Sequence, residues 1–337
     1  MILFFSAVLV GWVLTALVRF VGLKWQVFDV PNSRSAHENP TPTLGGVGLI
    51  TGFWVVTCLL VILDMPLSEH IWILLGASVA LCLLIRDEFC EMGRLGKLGV
   101  QVLAAFWMVQ GGVVLESVTL GHYIFELGNL SFGITVFVLV VLQNLYNFMD
   151  GLDGFAALEA VLVSGVLAVL FWTGAPDLAT LFLSVCGITL GFWFWNKPPA
   201  RIFMGDVGAH FLSLCFAMGA IEGESRAVVP FWMAILPLGA FLFDSIYTLM
   251  RRLLRRENIT RAHRFHLYQR LQGFGWTPWS INGVYALFTV LFSGCALFLQ
   301  FGFVSVAYGL LGVTLFLTGV GTVCVERHFL KTEQGTR

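Results

Sequence analysis

The 337-residue sequence predicts an all-α, polytopic membrane protein. Hydrophobic residues make up 58% of the chain and charged residues only 12%, whereas soluble domains carry about 25% charged residues. The mean hydropathy is +0.87. Because a helix needs about 20 mainly apolar residues to cross roughly 30 Å of hydrocarbon, the chain is expected to form about eleven spans.

The predicted spans follow one another along the whole chain, which we interpret as a single integral-membrane domain, 1–337. No basic residue precedes the first span, and Arg19 and Lys24 follow it, so it is not a cleavable signal peptide. The N-terminus is expected in the periplasm and the C-terminus in the cytoplasm. The spans lie near 2–22, 45–63, 70–85, 98–114, 129–146, 155–173, 178–195, 207–221, 228–249, 281–300 and 304–325.

Basic residues support this topology. With alternate loops assigned to the cytoplasm, only Arg226 falls in the periplasm. An excess of Lys and Arg in cytoplasmic loops is the usual pattern of inner-membrane proteins. The basic residues on the cytoplasmic side are Arg34, Arg86, Arg94, Lys97, Lys197, Arg201, the cluster 251–270, Arg327, Lys331 and Arg337.

The run NLYNFMDGLDG places two amides and two carboxylates at the end of an apolar stretch. If the run is helical, Asn144, Asn147, Asp150 and Asp153 share one face. Acids at membrane depth are costly and usually face a cavity or a partner, so the run indicates a site. The alternative is a set of polar residues that hold helices together.

Other chemically active residues fall in the remaining cytoplasmic loops. Asp87 and Glu88 form an acidic pair that could supply oxygen ligands to Mg²⁺, or merely a solvated face. Asp206 lies between glycines, where an acid is often a turn residue or cap. The polar loops lie near 23–44, 86–97, 147–154, 196–206 and 250–280. Together they suit a phosphate-rich substrate.

Taken in order, these stretches resemble the polyprenyl-phosphate N-acetylhexosamine-1-phosphate transferases. The first loop, FDVPNSRSAHENPTPTLGG, is followed by the acidic pair, NLYNFMDGLDG, NKPPARIFMGDVGAH and a basic histidine loop. The match covers nearly the whole chain. The last loop, RAHRFHLYQRL, is most similar to the O-antigen-initiating branch of the family and less similar to the peptidoglycan branch.

The resemblance implies an enzyme of the bacterial inner membrane whose active site faces the cytoplasm. A UDP-activated N-acetylated sugar would give its sugar-1-phosphate to undecaprenyl phosphate, and UMP would leave. Mg²⁺ is the expected cofactor, with Mn²⁺ as an alternative, and the product would start a lipid-linked glycan such as the O-antigen of lipopolysaccharide. The bilayer is a further partner, a homodimer is left open, and no nucleic acid is expected.

The resemblance also implies residue roles. Asp206 and Asp87 are the expected metal ligands, and Asp87 would also lie nearest the reacting phosphates. The expected catalytic residues are Asp87, Glu88, Asp206 and His266. The expected substrate-binding residues are Asn144, with Asn147, Asp150, Asp153 and Phe203 around the uridine, Asn196 in its polar wall, and Arg264 beside phosphate or sugar.

This chain departs from the family pattern at three places. Glu88 stands where an Asp is usual, His266 is not followed by the usual later histidines, and Ala209 replaces a hydroxyl residue. Glu159 and Asp244 lie in predicted spans. Asp244 is either an acid that faces the cytoplasmic cavity or a packed, hydrogen-bonded acid, and Glu159 receives no role.

Two other functions compete with this interpretation. A transporter or lipid flippase also needs acids in the membrane, but it predicts polar sites near the midplane. The polar residues concentrate at one face instead, which favours the enzyme. A CDP-alcohol phosphotransferase is disfavoured because DGLDGFAALE lacks that family's DGxxAR segment.

Overall fold

The computed structural model describes residues 1–29, 40–68, 70–90, 92–258 and 265–335, with the side chains at 88 and 331–335 excluded. This part of the chain is mostly helical, with two short antiparallel strand pairs. The predicted all-α class is confirmed, and the strand pairs are small additions to it. Contacts group the chain into two compact units, Met1–Ile235 and Leu236–Arg337.

The first unit holds nine helices and four short strands among the described residues. Two 3₁₀ segments lie at Cys82–Glu88 and Gly128–Leu130. In order the elements are α1 (Ile2–Trp25), β1 (Phe28–Asp29), β2 (Thr41–Pro42), α2 (Gly45–Ile62), α3 (Ile71–Leu81), α4 (Arg94–Gln110), β3 (Ser117–Leu120), β4 (Tyr123–Glu126), α5 (Ser131–Asn147), α6 (Phe155–Phe171), α7 (Pro176–Asn196), α8 (Gly205–Ser225) and α9 (Phe231–Ile235).

Helix α8 lies at the centre of the first unit. Every residue from Val207 to Glu224 is buried, and the helix packs against α2, α3, α5 and α6. Helix α7 packs against α1 and α6. By contrast, α1 exposes large apolar side chains such as Phe5 and Leu9, as expected for a surface that faces lipid rather than water.

The second unit consists of α10 (Gly239–Leu254), α11 (Leu267–Gly273), α12 (Pro278–Gln300) and α13 (Val304–Gly335). Helix α12 packs against α10, α11 and α13. It begins with Pro278, and the Thr277 hydroxyl accepts a hydrogen bond from the Ser280 backbone N–H at 3.2 Å. Both features favour a helix start at this point.

The described residues form seven helices that are long and apolar enough to cross a membrane, and the chain is a multi-pass membrane protein. These are Ile2–Trp25, Gly45–Ile62, Gly128–Asn147, Pro176–Asn196, Phe231–Leu254, Pro278–Gln300 and Val304–Leu330. The four other predicted spans correspond to α3, α4 and α6, of 11, 17 and 17 residues, and to the charged helix α8. Eleven crossings therefore remain a prediction.

The hairpin formed by β3 and β4 was not predicted. Its register pairs Ser117 with Glu126 and Leu120 with Tyr123. The hairpin is held by Glu224, whose carboxylate accepts the Thr119 backbone N–H at 2.7 Å. This contact also explains why α8 carries an acid in its last turn.

Candidate active site

Four segments of the first unit bring charged and amide side chains together at one end of the helices. Asp87 lies near the end of the 3₁₀ segment that follows α3, Lys97 lies in the first turn of α4, Asn147 ends α5, and Asp206 lies in the first turn of α8. The Lys97 Nζ lies 2.5 Å from Asp87 Oδ2 and 2.9 Å from Asp206 Oδ2. Asn147 Nδ2 donates to Asp206 Oδ1 at 3.3 Å. The side chains of Asp87, Lys97 and Asp206 are 24%, 31% and 27% exposed. A ligand can therefore reach the cluster.

A second polar layer lies one helical turn further along the same three helices. Gln101 Nε2 lies 3.2 Å from His210 Nε2, and Asn144 Nδ2 donates to Gln101 Oε1 at 2.7 Å. Residues spaced by three or four share one helix face, so α4, α5 and α8 each contribute one residue to each layer. The lower layer is more buried and holds the three helices at a fixed spacing beneath the acids.

The turn after α5 separates the two acids of the NLYNFMDGLDG run from the two amides. Helix α5 ends at Asn147, and α6 begins after Gly154, which has φ of +71°. Glycine adopts this left-handed conformation at little cost. Asp150 and Asp153 therefore lie in a turn, and the expected continuous helical ridge through all four residues is wrong.

The loop between α7 and α8 is fixed by hydrogen bonds to its neighbours. Asp153 Oδ2 accepts the Ala200 backbone N–H, and Asn196 Nδ2 donates to the Ile202 carbonyl, both at 2.9 Å. The Phe203 backbone N–H donates to the Pro42 carbonyl at 2.7 Å. These bonds give Asn196 and Asp153 a clear role in shaping the loop that leads to Asp206.

The end of the first polar loop also contacts the start of α8. The Gly45 N–H donates to the Phe203 carbonyl at 2.9 Å, and the Gly46 N–H donates to the Met204 carbonyl at 2.7 Å. A Cβ atom at Gly46 would lie 2.3 Å from the Gly208 backbone nitrogen. The glycines in both motifs therefore allow α2 and α8 to meet backbone to backbone beside Asp206.

Charges in the cluster influence one another. Burial and the negative charge of Asp206 raise the pKa of Asp150 to about 7. Burial opposes ionisation of Asp206 as well, but the Lys97 ammonium, with hydrogen bonds from Lys97 and Asn147, keeps its pKa below the ordinary value. Burial disfavours the Lys97 ammonium, yet the two carboxylates raise its pKa. Lys97 therefore stays charged between two acids.

The donor set fits a magnesium ion that substrate would help to hold. Asp87 and Asp206 already place one cation, the Lys97 ammonium, between them. Within the described ranges there is no group of three or more His, Cys, Asp or Glu side chains suited to a metal. Mg²⁺ commonly takes only one or two carboxylates, with waters and substrate phosphates completing its shell. Two acids at a partly exposed end of the helices agree with that chemistry.

Comparison with known proteins identifies the family. Residues 70–224 match the family description "Glycosyl transferase family 4". A Bacillus subtilis (strain 168) protein named as a probable undecaprenyl-phosphate N-acetylglucosaminyl 1-phosphate transferase is 31% identical over 277 residues, which cover 81% of this chain and 77% of that protein. The chain belongs to glycosyl transferase family 4.

Other relatives of this family 4 protein are named phospho-N-acetylmuramoyl-pentapeptide-transferases. The one from Oceanobacillus iheyensis is 26% identical and covers 78% of this chain and 84% of its own length. The one from Geobacillus sp. (strain WCH70) is 28% identical and covers 77% and 84%. The matched family segment contains Asp87, Lys97, Asn147 and Asp206. The family resemblance seen in the sequence motifs is thus confirmed.

Two predicted site residues of the family 4 protein lie in its second unit. His266 directly precedes α11, and its ring is buried with Nδ1 3.3 Å from Asp244 Oδ1. Arg264 lies outside the described residues, as does the side chain of Glu88 in the first unit. Their predicted contacts with substrate stay predictions.

Sequence reasoning missed three residues of the two polar layers. Lys97 was interpreted only as a topology signal, and Gln101 and His210 received no role. A signal was present, because Lys97 and Gln101 are spaced by four, as are Asp206 and His210. Polar pairs at this spacing within an apolar helix mark a face that meets other polar groups.

Proposed function

We propose that this family 4 protein transfers an N-acetylhexosamine-1-phosphate from a UDP-sugar to undecaprenyl phosphate and releases UMP. The observation that carries the proposal is the Lys97 ammonium held between Asp87 and Asp206. Two acids and a cation at one end of the helices suit diphosphate chemistry. The name of the Bacillus subtilis relative supports the same acceptor and a GlcNAc-1-phosphate group.

Asp87 and Asp206 would hold Mg²⁺, or Mn²⁺, which when bound supplies positive charge to the diphosphate. Lys97 exchanges one of its carboxylate partners for a phosphate oxygen and stabilises the charge that develops there. Asp87 orients the phosphate of the lipid acceptor for in-line attack, since position matters more than base strength in this reaction. Glu88 adds negative charge beside Asp87. His266 and Arg264 contact the sugar or phosphates.

The remaining predicted residues bind the nucleotide. Asp150 can donate or accept a hydrogen bond near neutral pH, because its pKa lies at about 7. The residues assigned to the uridine end and its polar wall are Asn144, Asn147, Asp150, Asp153, Phe203 and Asn196. In this proposal the chain, 1–337, is one transferase domain, and a homodimer is compatible with it.

In this proposal the protein spans the inner membrane of a bacterium, and its active site faces the cytoplasm. The excess of basic residues in the loops that carry the site residues supports this orientation. A soluble UDP-sugar then enters the site from the same side of the membrane as the phosphate of the lipid acceptor. The product starts a lipid-linked surface glycan, and the loop RAHRFHLYQRL favours O-antigen over peptidoglycan.

The proposal is tested with the purified full-length chain in lipid nanodiscs, supplied with Mg²⁺ and undecaprenyl phosphate. A panel of UDP-GlcNAc, UDP-GalNAc and UDP-MurNAc-pentapeptide is offered in separate reactions, and UMP is measured with the lipid product. UMP release with at least one sugar is expected. Folded protein that releases UMP with none of them would refute the transferase, and substrate flux into proteoliposomes without UMP would favour a transporter.

A further inference from the structure

Asp244, a buried acid of α10, joins three segments of the second unit. Its carboxylate is buried within a helix that is long and apolar enough to cross a membrane, where an acid is costly unless donors surround it. The donors come from α10 itself, from the start of α11 and from α12. They are Thr248 Oγ1 at 3.1 Å, the backbone N–H groups of Leu267 at 2.8 Å and Tyr268 at 3.1 Å, Tyr285 OH at 2.6 Å, and His266 Nδ1 at 3.3 Å.

Two of these bonds fix the start of α11. The first backbone N–H groups of a helix have no acceptor within the helix, and here Asp244 accepts those of Leu267 and Tyr268. A single side chain of α10 therefore sets where α11 begins. The bond from the His266 N–H to Gln269 Oε1, at 3.3 Å, restrains the same turn.

A third contact orients His266. An ionised carboxylate only accepts hydrogen bonds, so the ring nitrogen that faces Asp244, Nδ1, carries the hydrogen. In the neutral ring Nε2 is then the acceptor nitrogen. A carboxylate that accepts a hydrogen bond from one ring nitrogen of a functional histidine sets the tautomer and direction of the ring in this way.

We propose that Asp244 is a positioning residue of the transferase, which fixes the tautomer and direction of His266 through Nδ1 and the start of α11. The inference rests on the proposed function, in which His266 meets sugar or phosphate. It gives a specific role to an acid that belongs to none of the sequence motifs. Thr248 donates to the same carboxylate from within α10, so Thr248→Val removes one donor without altering α11 and offers a matched control.

The experiment is a double-mutant cycle on the full chain in nanodiscs, with UMP release as the activity. Asp244→Asn keeps the shape of the side chain but has one acceptor oxygen in place of two. We expect kcat to fall about 10²-fold, the scale of one positioned acid–base group. His266→Gln should lose a similar amount, and the double variant should be no slower than His266→Gln. Thr248→Val should remain within about twofold of wild type, since the carboxylate keeps its other donors.

Hydrogen–deuterium exchange at the amides of Leu267 and Tyr268 provides a readout that does not need turnover. Exchange should be faster in Asp244→Asn than in wild type or Thr248→Val. Unchanged exchange would overturn the positioning role whatever the activity. Wild-type turnover in Asp244→Asn or in His266→Gln, or losses that multiply in the double variant, would also overturn it, whereas a wild-type enzyme that releases no UMP refutes the proposed function itself.

If Asp244→Asn does not fold, Leu267→Pro removes one backbone donor and leaves both side chains in place. Proline is favoured at the first position of a helix, and His266 already has ψ of 149°, in the extended range required before proline. We expect kcat to fall, with no further loss when His266→Gln is added. An unchanged kcat in Leu267→Pro would overturn the inference.

Discussion

Lys97 and Asp206 are 109 residues apart in the chain, and the Lys97 Nζ donates to Asp206 Oδ2 at 2.9 Å. The same separation joins Gln101 to His210 one turn further on. Two helices that face each other with matched polar pairs can slide only if both contacts break together. The lower contact therefore helps to fix Asp206 in the place where substrate would meet it.

Lys97→Met should leave Asp87 and Asp206 facing each other without a counter-charge. Because the ion pairs are partly exposed, we expect a stability loss of roughly 1 kcal/mol in EDTA. Mg²⁺ should then raise the melting temperature more in the variant than in wild type, since a bound ligand stabilises by its affinity for the native state. UMP release should fall. Thermal unfolding with and without Mg²⁺ measures the first effect.

The control for this change is Lys24→Met, an exposed lysine at the end of α1. It should show the wild-type response to Mg²⁺ and the wild-type rate. An equal Mg²⁺ response in Lys97→Met and wild type would contradict the placement of a metal between the two acids.

Asp206→Asn should abolish turnover, with a loss of at least about 10²-fold, while expression and folding persist. The amide oxygen can still accept from Lys97, but the negative charge that would hold the metal is gone. UMP release and the Mg²⁺-induced rise in melting temperature should disappear together. Asp64→Asn is the control, because Asp64 is exposed with φ of 51° and Asn tolerates that conformation. Near-normal turnover in Asp206→Asn would remove the residue from the metal role.

Much of the first unit could be predicted from sequence because its signals are local. Long apolar runs predicted the helices, and the motifs in the polar loops predicted residues such as Asp87, Asn147 and Asp206, which the structure places together. Because successive spans alternate in direction across the membrane, those loops were expected to share one end of the helices. Nothing more than chain order and the alternation of spans was needed for that step.

Other features depend on pairings that no local pattern reveals. The spacing by threes from Asn144 to Asp153 matched a helix, but the backbone turns after Asn147 and needs left-handed Gly154. Lys97 could be paired with Asp206 only once α4 was known to face α8. Asp244 likewise gained its role from the backbone of α11, whose sequence carries no signal for a distant carboxylate.

Gly46→Ala should destabilise the protein and displace Asp206. The new Cβ would lie 2.3 Å from the Gly208 nitrogen and 2.7 Å from its Cα, and neither backbone atom can move alone. Overpacking of this kind costs about 1–3 kcal/mol, so both the melting temperature and UMP release should fall. Gly133→Ala is the matched control, since its Cβ would meet nothing within 4 Å and alanine favours a helix by up to about 1 kcal/mol. Equal melting temperatures for the two variants would show that α2 and α8 do not meet at Gly46.

Asp150 should make stability depend on pH in metal-free buffer. Burial, with the charge of Asp206, raises its pKa from the ordinary 3.8 to about 7, so the folded state holds a proton that the unfolded chain has lost between those values. The free energy of unfolding should therefore fall as pH rises through that window, because the folded state binds more protons there. Above pH 7 the penalty is fully present.

Asp150→Asn cannot titrate, so its melting temperature should fall less between pH 5 and pH 8 than that of wild type. At pH 8 the variant should be the more stable protein, because it avoids a charge beside Asp206 in a half-buried site. Thermal unfolding in EDTA across this range measures the effect, with Asp64→Asn as the control for loss of an exposed acid. Parallel pH curves for Asp150→Asn and wild type would show that Asp150 is charged throughout. In that case its contact with the nucleotide would be as an acceptor only.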